Sequence, residues 1–192
     1  MSDYVETPPK LKSREFEALC ILDSTWSKNH GEYCMGRYGV QAAIMGNESG
    51  GFTSRPIRSL PDFEGVLPSG RQFIFDAKVI SSASFPLHTA YLKKRQIDHL
   101  ISRSAFGVIS FLLIHFNRRE LKTKMDPQFT CAFPVSCELT FWDDFMEGEQ
   151  LTLSRELAKE QGIEVPWWIP KHSKKPRPYL SLAIDRLNRA YF

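Results

Sequence analysis

The sequence predicts a mixed α/β domain in which a central β-sheet lies between helices. Three observations lead to this class. Helical and extended patterns alternate along the chain, which is typical of a sheet flanked by helices. Residues 108–114 form a continuous apolar run, the pattern of a central strand buried on both faces. Residues 61–79 have the pattern of a β-hairpin with one phenylalanine-rich face.

The chain begins with a predicted arm and a predicted helix. Residues 1–11 are polar and contain two adjacent prolines, which predicts a flexible arm. Ser13 is a suitable N-cap for a helix that continues to about residue 28, and Gly31 is expected to end it. The residues predicted on its buried stripe are Phe16, Leu19, Cys20 and Trp26.

Two further segments precede the hairpin. The apolar segment 38–45 predicts an early strand. Residues 46–59 are rich in Gly, Ser, Asn and Arg, and this composition predicts an exposed loop that contains Arg55 and Arg58.

The register of the hairpin follows from its turn. The sequence Pro68-Ser69-Gly70 suits a three-residue loop in which proline starts a type I turn and glycine takes the left-handed position. If Leu67 then pairs with Arg71, Asp62 lies opposite Asp76 on the partner strand.

Side chains of a strand alternate between its two faces, so this register sorts the hairpin into a charged face and an apolar face. The charged face carries Asp62, Glu64, Asp76 and Lys78, and the apolar face carries Phe63, Phe73, Phe75, Ala77 and Val79. Like charges across a strand pair are destabilising, and a bound cation would remove that cost. Mg²⁺ prefers one or two carboxylates with water and phosphate oxygens, and Lys78 could orient or deprotonate an attacking water. The alternative is a solvated surface face with a simple Asp–Lys ion pair.

The remaining segments continue the alternation of helices and strands. The predicted elements are a connector at 81–86, a helix at 91–104 before Gly107, strand material at 129–133 and 139–142, a helix at 154–161 ending at Gly162, a Pro- and Lys-rich loop at 165–178, and a helix from about residue 179. In the predicted helix at 91–104, helical spacing places Leu92, Gln96, His99 and Arg103 on one stripe. Apart from Leu92, this stripe is polar. We therefore expect one domain over 1–192, with a flexible arm at 1–11, a core at 12–148 and a helical extension at 149–192.

The net charge of +3 is too small to demand or exclude a nucleic acid, but the basic residues are clustered at 93–95, 118–119 and 171–177. The last cluster follows Trp167 and Trp168. Aromatic rings stack on unpaired bases and lysines neutralise phosphates, so this segment is a candidate contact for nucleic acid. The alternative is that the two tryptophans attach the loop to the core and the lysines keep it soluble.

The four cysteines lack CxxC spacing, and Cys131 with Cys137 lacks a second pair for zinc, so reduced thiols are expected. No apolar run follows Met1, and the longest apolar stretch is too short to span a membrane. We therefore expect a cytoplasmic protein with no membrane partner.

The hairpin resembles the signature of the PD-(D/E)xK nucleases, because Pro61-Asp62 is followed fourteen positions later by Asp76 and then by Ala77-Lys78. The flanking segments resemble the RecU-type Holliday-junction resolvases in order and spacing over about residues 60–145. These segments are 62–65 (DFEG), 75–78 (FDAK), 84–87 (SFPL), 96–100 (QIDHL), a strand ending near 115–116 (HF), and 141–143 (FWD).

This resemblance implies a restriction-endonuclease-like fold, often dimeric, and a Mg²⁺-dependent endonuclease for branched DNA, in which Mn²⁺ can substitute. Asp62, Asp76 and the Ala77 carbonyl would hold the metal, and Lys78 would be the catalytic lysine. Gln96 matches the glutamine of the family on the helix after the catalytic strands. Glu15 or Glu17 could match its early acidic residue, and we favour Glu17 as a catalytic residue.

The sequence departs from the resolvases at three positions: Asp76 stands where the family usually has Glu, Pro61 where it often has Thr, and Arg95 where it commonly has His. The loop at 46–59 lies where resolvases carry a stalk that engages the junction, and it is short. The residues expected to contact DNA are Arg55, Arg58, Lys93, Lys94, Arg95, Lys171, Lys174 and Lys175.

Overall fold

A computed structural model describes residues 3–5, 8–37, 42–46, 52–56, 61–87, 94–120, 125–148, 152–171, 173 and 175–192, with 42–46 and 52–56 described at the level of the backbone. The helices of these ranges are α1 (Ser13–His30), α2 (Lys94–Ser104), α3 (Thr140–Glu147), α4 (Arg155–Gln161) and α5 (Leu180–Tyr191). The strands are β1 (Asp3–Val5), β2 (Cys34–Arg37), β3 (Ala42–Gly46), β4 (Phe52–Pro56), β5 (Phe63–Val66), β6 (Gln72–Ile80), β7 (Ser84–Pro86), β8 (Ile109–Phe116), β9 (Arg119–Glu120), β10 (Met125–Asp126), β11 (Phe129–Pro134), β12 (Thr152–Ser154), β13 (Ile163–Glu164), β14 (Trp167–Ile169) and β15 (Arg177–Pro178).

The main sheet of the described residues has six strands in the order β13-β11-β8-β6-β5-β2. Strands β6 and β8 are parallel and the other neighbours are antiparallel, so the sheet is mixed. Every residue of β8 is buried, as the apolar run predicted for a central strand. The predicted α/β class with a mixed sheet between helices is confirmed.

Helices cover the sheet on both faces and create two apolar layers. The layer formed with α2 and α3 contains Ile74, Ile97, Leu100, Leu112, Ile114, Trp142 and Phe145 among others. The layer formed with α1 and α5 contains Phe16, Cys20, Phe63, Phe73, Phe75, Phe111, Ile184 and Leu187 among others. The alternation along β6 therefore sends its phenylalanines towards α1 and α5, and places Asp76 and Lys78 on the same face as α2.

The predicted register of the hairpin is confirmed. Leu67 N donates to Arg71 O at 2.9 Å, and Phe63 pairs with Phe75. Gly70 has φ of 84°, the left-handed conformation that the turn requires and that glycine adopts at little cost.

The predicted strand material at 139–142 is wrong, because Thr140–Glu147 is helical. Aromatic residues favour strands in isolation, but Phe141, Trp142 and Phe145 recur at helical spacing and pack into the α2 layer. Gly148, with φ of 86°, ends this helix.

Four segments predicted as irregular contain short strands. Part of the expected arm is β1, which pairs with β14. Part of the expected loop at 46–59 is β4, which pairs with β3. The connector at 81–86 ends in β7, which pairs with β12, and the loop at 165–178 contains β14 and β15. Except for the β3–β4 and β14–β15 hairpins, these pairings join segments far apart in sequence, so local composition gives no sign of them.

The helices agree more closely with the sequence. Helix α1 starts at Ser13, but Lys12 rather than Ser13 is the N-cap, and Glu15 accepts a hydrogen bond from the Lys12 backbone N–H at 2.7 Å. Gly31 ends α1 and Gly162 ends α4, as predicted. No helix within the described ranges is long and apolar enough to cross a membrane.

The C-terminal segment is joined to α1 through the buried carboxylate of Asp23. Its oxygens accept hydrogen bonds from Tyr33 Oη at 2.7 Å, from Trp168 Nε1 at 3.2 Å and from Leu180 N at 3.4 Å. Burial raises the pKa of Asp23 to about 6, against the hydrogen bonds that lower it. Arg177 adds a hydrogen bond to Leu22 O at 2.6 Å, so β14, β15 and the start of α5 are packed on the first helix.

Replacing Asp23 with Ala is expected to destabilise the protein by roughly 2–4 kcal/mol, because three buried donors then lose their acceptor. Urea unfolding followed by tryptophan fluorescence measures the change. The matched control is Asp185→Ala, which removes only an exposed ion pair with Arg189 and should cost less than about 0.5 kcal/mol. Equal effects of the two substitutions would contradict this role of Asp23.

Candidate active site

Asp62, Asp76, Lys78 and Gln96 come together between the hairpin and α2. Asp76 and Lys78 are two residues apart on β6, and their side chains share the face that α2 covers. Asp62 immediately precedes β5, at the end of that strand nearest to Asp76. Gln96 lies in the first turn of α2 and is buried.

The side chain of Asp62 continues the hydrogen-bonding ladder where β5 begins. Its Oδ2 accepts a hydrogen bond from Ala77 N at 3.0 Å. In an antiparallel ladder the N–H and C=O of one residue point to the same neighbouring strand, so the Ala77 carbonyl is directed to the Asp62 side. This places a backbone oxygen beside the two carboxylates.

Lys78 lies between the two carboxylates. Its Nζ is 2.5 Å from Asp76 Oδ2 and 3.8 Å from Asp62 Oδ2. Gln96 Nε2 donates to the other oxygen of Asp76, Oδ1, at 3.4 Å. Asp76 is completely buried, whereas Asp62 is 27% exposed, so the site opens to solvent on the Asp62 side.

The pKa of Asp76 is raised from 3.8 to about 8, chiefly by burial; Lys78 lowers it and the nearby Asp62 raises it. A buried carboxyl group with a second carboxyl beside it is costly to ionise in the absence of a further cation. The arrangement is therefore one that a bound divalent cation would stabilise.

The donor set fits a divalent metal ion of the Mg²⁺ type. Two carboxylates and a backbone carbonyl are hard oxygen ligands, and Mg²⁺ usually completes its coordination with water and phosphate oxygens. Among the described residues no three His, Cys, Asp or Glu side chains are grouped around one point. The set is thus poor for an all-protein zinc or calcium site and suited to a metal that shares its coordination with a substrate.

The structure does not bring Glu17 into this group. Glu17 lies on α1 and forms an ion pair with Arg37 of β2. Arg37 pairs with Phe63 in the β2–β5 ladder, and its guanidinium lies 5.9 Å from the centre of that ring. No local pattern in the sequence singles out this arginine, because its position depends on a strand pairing across more than twenty intervening residues.

The residues expected to contact DNA are scattered. Lys94 Nζ donates to Met146 O at 3.0 Å at the end of α3, and Arg95 is exposed on α2 next to Gln96. Lys171 and Lys175 are exposed between β14 and β15. Arg55 lies on β4, and three further expected residues, Arg58, Lys93 and Lys174, lie outside the described ranges.

The two tryptophans of the basic segment are not available for base stacking. Trp167 and Trp168 are only 2% and 4% exposed, and their Nε1 groups donate to Thr130 Oγ1 and Asp23 Oδ1. Of the two interpretations of this segment, attachment to the core is therefore correct for the rings.

Two carboxylates, a backbone carbonyl and a lysine therefore meet where β5 begins beside β6 of the mixed sheet. The sequence model of one family, recombination protein U (RecU), matches residues 56–181. The chain belongs to the RecU family, which confirms the resemblance seen in its sequence. The match extends beyond residue 145, where that resemblance ended, and includes β14, β15 and the start of α5.

Comparisons with curated protein sequences and with solved structures add no further support for the family. No curated protein sequence matches the chain. Among solved structures, Hjc, a Holliday junction resolvase of the archaeal hyperthermophile Archaeoglobus fulgidus, is 12% identical and matches with a TM-score of 0.45. The match covers 79% of this chain and 94% of that one. At this identity and score the likeness adds nothing to the assignment, which rests on the family.

Proposed function

We propose that this protein is a Mg²⁺-dependent endonuclease that resolves Holliday junctions and related branched DNA in recombination or repair, in a bacterial cytoplasm or a phage-infected host. One observation carries the proposal: Asp62, Asp76 and Lys78 meet at one point beside a helix that supplies Gln96. Membership of the recombination protein U family supports branched DNA as the substrate.

Asp62, Asp76 and the Ala77 carbonyl are the groups that would hold the metal, with Mn²⁺ as a substitute. A bound Mg²⁺ supplies stabilisation of negative charge on the scissile phosphate and lowers the pKa of an attacking water. Asp62 is held in place by its hydrogen bond from Ala77 N, so its free oxygen has a fixed direction. Asp76 is fixed from opposite sides by Gln96 and Lys78.

Lys78 has two roles available to it. In the protein alone its ammonium group lies 2.5 Å from Asp76 Oδ2 and favours the ionised form of that carboxyl group, against burial and Asp62. With a metal held by the two carboxylates, the same ammonium could stay within reach of the scissile phosphate. There it would stabilise the charge that develops on the phosphate and position the attacking water.

The substrate is expected to be held largely by phosphate contacts, since the exposed basic residues are dispersed over several elements. We propose Arg55, Arg58, Lys93, Lys94, Arg95, Lys171, Lys174 and Lys175 for these contacts, and Glu17 as an additional acidic residue if Arg37 releases it. A two-fold homodimer would present two sites and cut two strands symmetrically.

The test is a cleavage assay on a panel of synthetic DNAs with Mg²⁺ or Mn²⁺. We expect the four-way junction to be cut and linear duplex of the same sequence to stay largely intact. Cleavage of linear or single-stranded DNA at the same rate would assign the chain to another nuclease activity. Junction binding without cleavage of any DNA would identify a non-catalytic DNA-binding protein.

A further inference from the structure

An open groove lies over β2 and β5, and its lining begins at Glu64, two residues along β5 from Asp62 of the candidate active site. Arg103 of α2 borders it on one side. The groove has a volume of about 410 Å³, and the residues that line it include Cys34, Gly36, Glu64, Val66, Gln72 and Arg103.

The floor of the groove is open to solvent because the residues that form it are exposed and some of them have small side chains. Cys34 pairs with Val66 and Gly36 pairs with Glu64, so these four residues share one face of the ladder. All four are exposed. A Cβ atom added at Gly36 would meet no other atom within 4 Å, so there is free space directly above the strand.

The wall carries the polar stripe of α2 that the sequence predicted. Gln96 donates to Asp76 at one end, and Arg103 Nη2 donates to Gln72 Oε1 at 2.7 Å at the other. His99 lies between them: burial lowers its pKa, Arg103 lowers it further, and Glu64 opposes both. Because Gln72 and Asp76 are four residues apart on β6, the stripe follows the strand for roughly 13 Å.

We propose that this groove holds the DNA strand next to the scissile phosphate, with Arg103 binding a backbone phosphate on the α2 side. The inference rests on the proposed function and adds the path of the substrate strand. Glu64 is the acidic side chain on the floor and would repel a phosphate there. The phosphates therefore follow the α2 wall, and the sugars and bases lie over Val66, Gly36 and Cys34.

The exposed thiol of Cys34 gives a direct test on the unmodified protein. The protein is treated with iodoacetamide in the presence of a synthetic four-way junction, with Ca²⁺ in place of Mg²⁺ so that binding is followed without turnover. At a junction concentration of about ten times Kd, nearly all of the protein is bound to DNA. Alkylation of Cys34 should therefore slow about tenfold. Peptide mass spectrometry reads each cysteine separately. Cys20 and Cys131 are the internal controls for folding, because both are buried and should stay unreactive with and without the junction.

Two results would overturn the inference. One is an unchanged alkylation rate of Cys34 at saturating junction. The other is a Cys34 thiol that becomes unreactive with rising protein concentration in the absence of DNA. The second result would show that another copy of this chain occupies the groove along β2, the last strand of the sheet among the described residues.

A substitution at Arg103 tests the phosphate contact independently. Arg103→Gln should reduce the slope of log K for junction binding against log salt concentration by about 1, the change expected for one lost phosphate contact. Arg189→Gln is the matched control, because Arg189 is exposed on α5, on the opposite face of the sheet. Equal slopes for the two variants would contradict the assignment of Arg103.

These outcomes can be separated from those of the proposed function. Junction cleavage without protection of Cys34 would reject the groove and leave the nuclease assignment intact. Protection of Cys34 without cleavage under Mg²⁺ would support the groove and reject the activity.

Discussion

Replacing Asp76 with Asn is expected to lower the rate of junction cleavage by about a thousandfold or more. The substitution keeps the shape of the side chain and its contact with Gln96, but it removes a charged ligand from the proposed metal site. A loss of about 4 kcal/mol of transition-state stabilisation corresponds to that factor. Single-turnover cleavage of a labelled junction in Mg²⁺ measures it.

The same substitution should change how stability depends on pH in the metal-free protein. The pKa of Asp76 is about 8 in the folded protein and about 3.8 in its ordinary state. Between these values the native state keeps a proton that the unfolded chain has lost, so the free energy of unfolding falls as pH rises through this window. The amide introduced by Asp76→Asn cannot ionise, so the stability of the variant relative to the wild type should increase by several kcal/mol, an order-of-magnitude figure, as pH rises from about 4 to about 8.

Denaturant unfolding at a series of pH values in EDTA measures this difference, and Asp185→Asn, at a half-buried position on α5 away from the site, is the control. Mg²⁺ at pH 8 should then raise the Tm of the wild type and leave that of Asp76→Asn unchanged. Parallel pH profiles for the wild type and the Asp76 variant would contradict the effect of burial on this carboxyl group. An equal Mg²⁺ response of the two proteins would contradict the ligand role.

Replacing Lys78 with Met is expected to reduce kcat by about 10²–10⁴-fold, the usual contribution of a positioned group that transfers a proton or stabilises charge. Methionine retains most of the volume of the lysine stem, so the surrounding residues have little reason to move. The affinity for the junction in Ca²⁺ should change little, because one half-buried ammonium group contributes little to a binding surface made of dispersed basic residues.

The measurement combines single-turnover rates with binding isotherms, and Lys28→Met on the exposed side of α1 is the control. A variant that binds more weakly but cleaves its bound substrate at the wild-type rate would assign Lys78 to binding alone. Full activity of Lys78→Met would show that Lys78 is not a catalytic residue.

The hairpin, the central strand and the polar stripe of α2 could be predicted from the sequence because each depends on a local sequence pattern. The Pro68-Ser69-Gly70 turn determined the hairpin register, and the register placed Asp62, Asp76 and Lys78 together without knowledge of other strands. The apolar run at 108–114 identified the central strand, and helical spacing put Gln96 and Arg103 on one stripe.

The parts that could not be predicted depend on contacts between distant segments. Nothing near Asp3 indicates that its strand pairs with Trp167–Ile169, and nothing near Thr140 shows that its aromatic residues meet a helical rather than an extended surface. The ion pair between Glu17 and Arg37 depends on the pairing of β2 with β5. The complete burial of Asp76, which raises its pKa, depends on the cover that α2 provides.

The most direct test of the central claim is a crystal structure of the protein grown with Mn²⁺, with anomalous scattering used to locate the ion. We expect a peak at ligating distance from Asp62, Asp76 and the Ala77 carbonyl, with the Lys78 ammonium moved from between the two carboxylates. A Mn²⁺ peak elsewhere, with Lys78 still bridging Asp62 and Asp76, would contradict the claim.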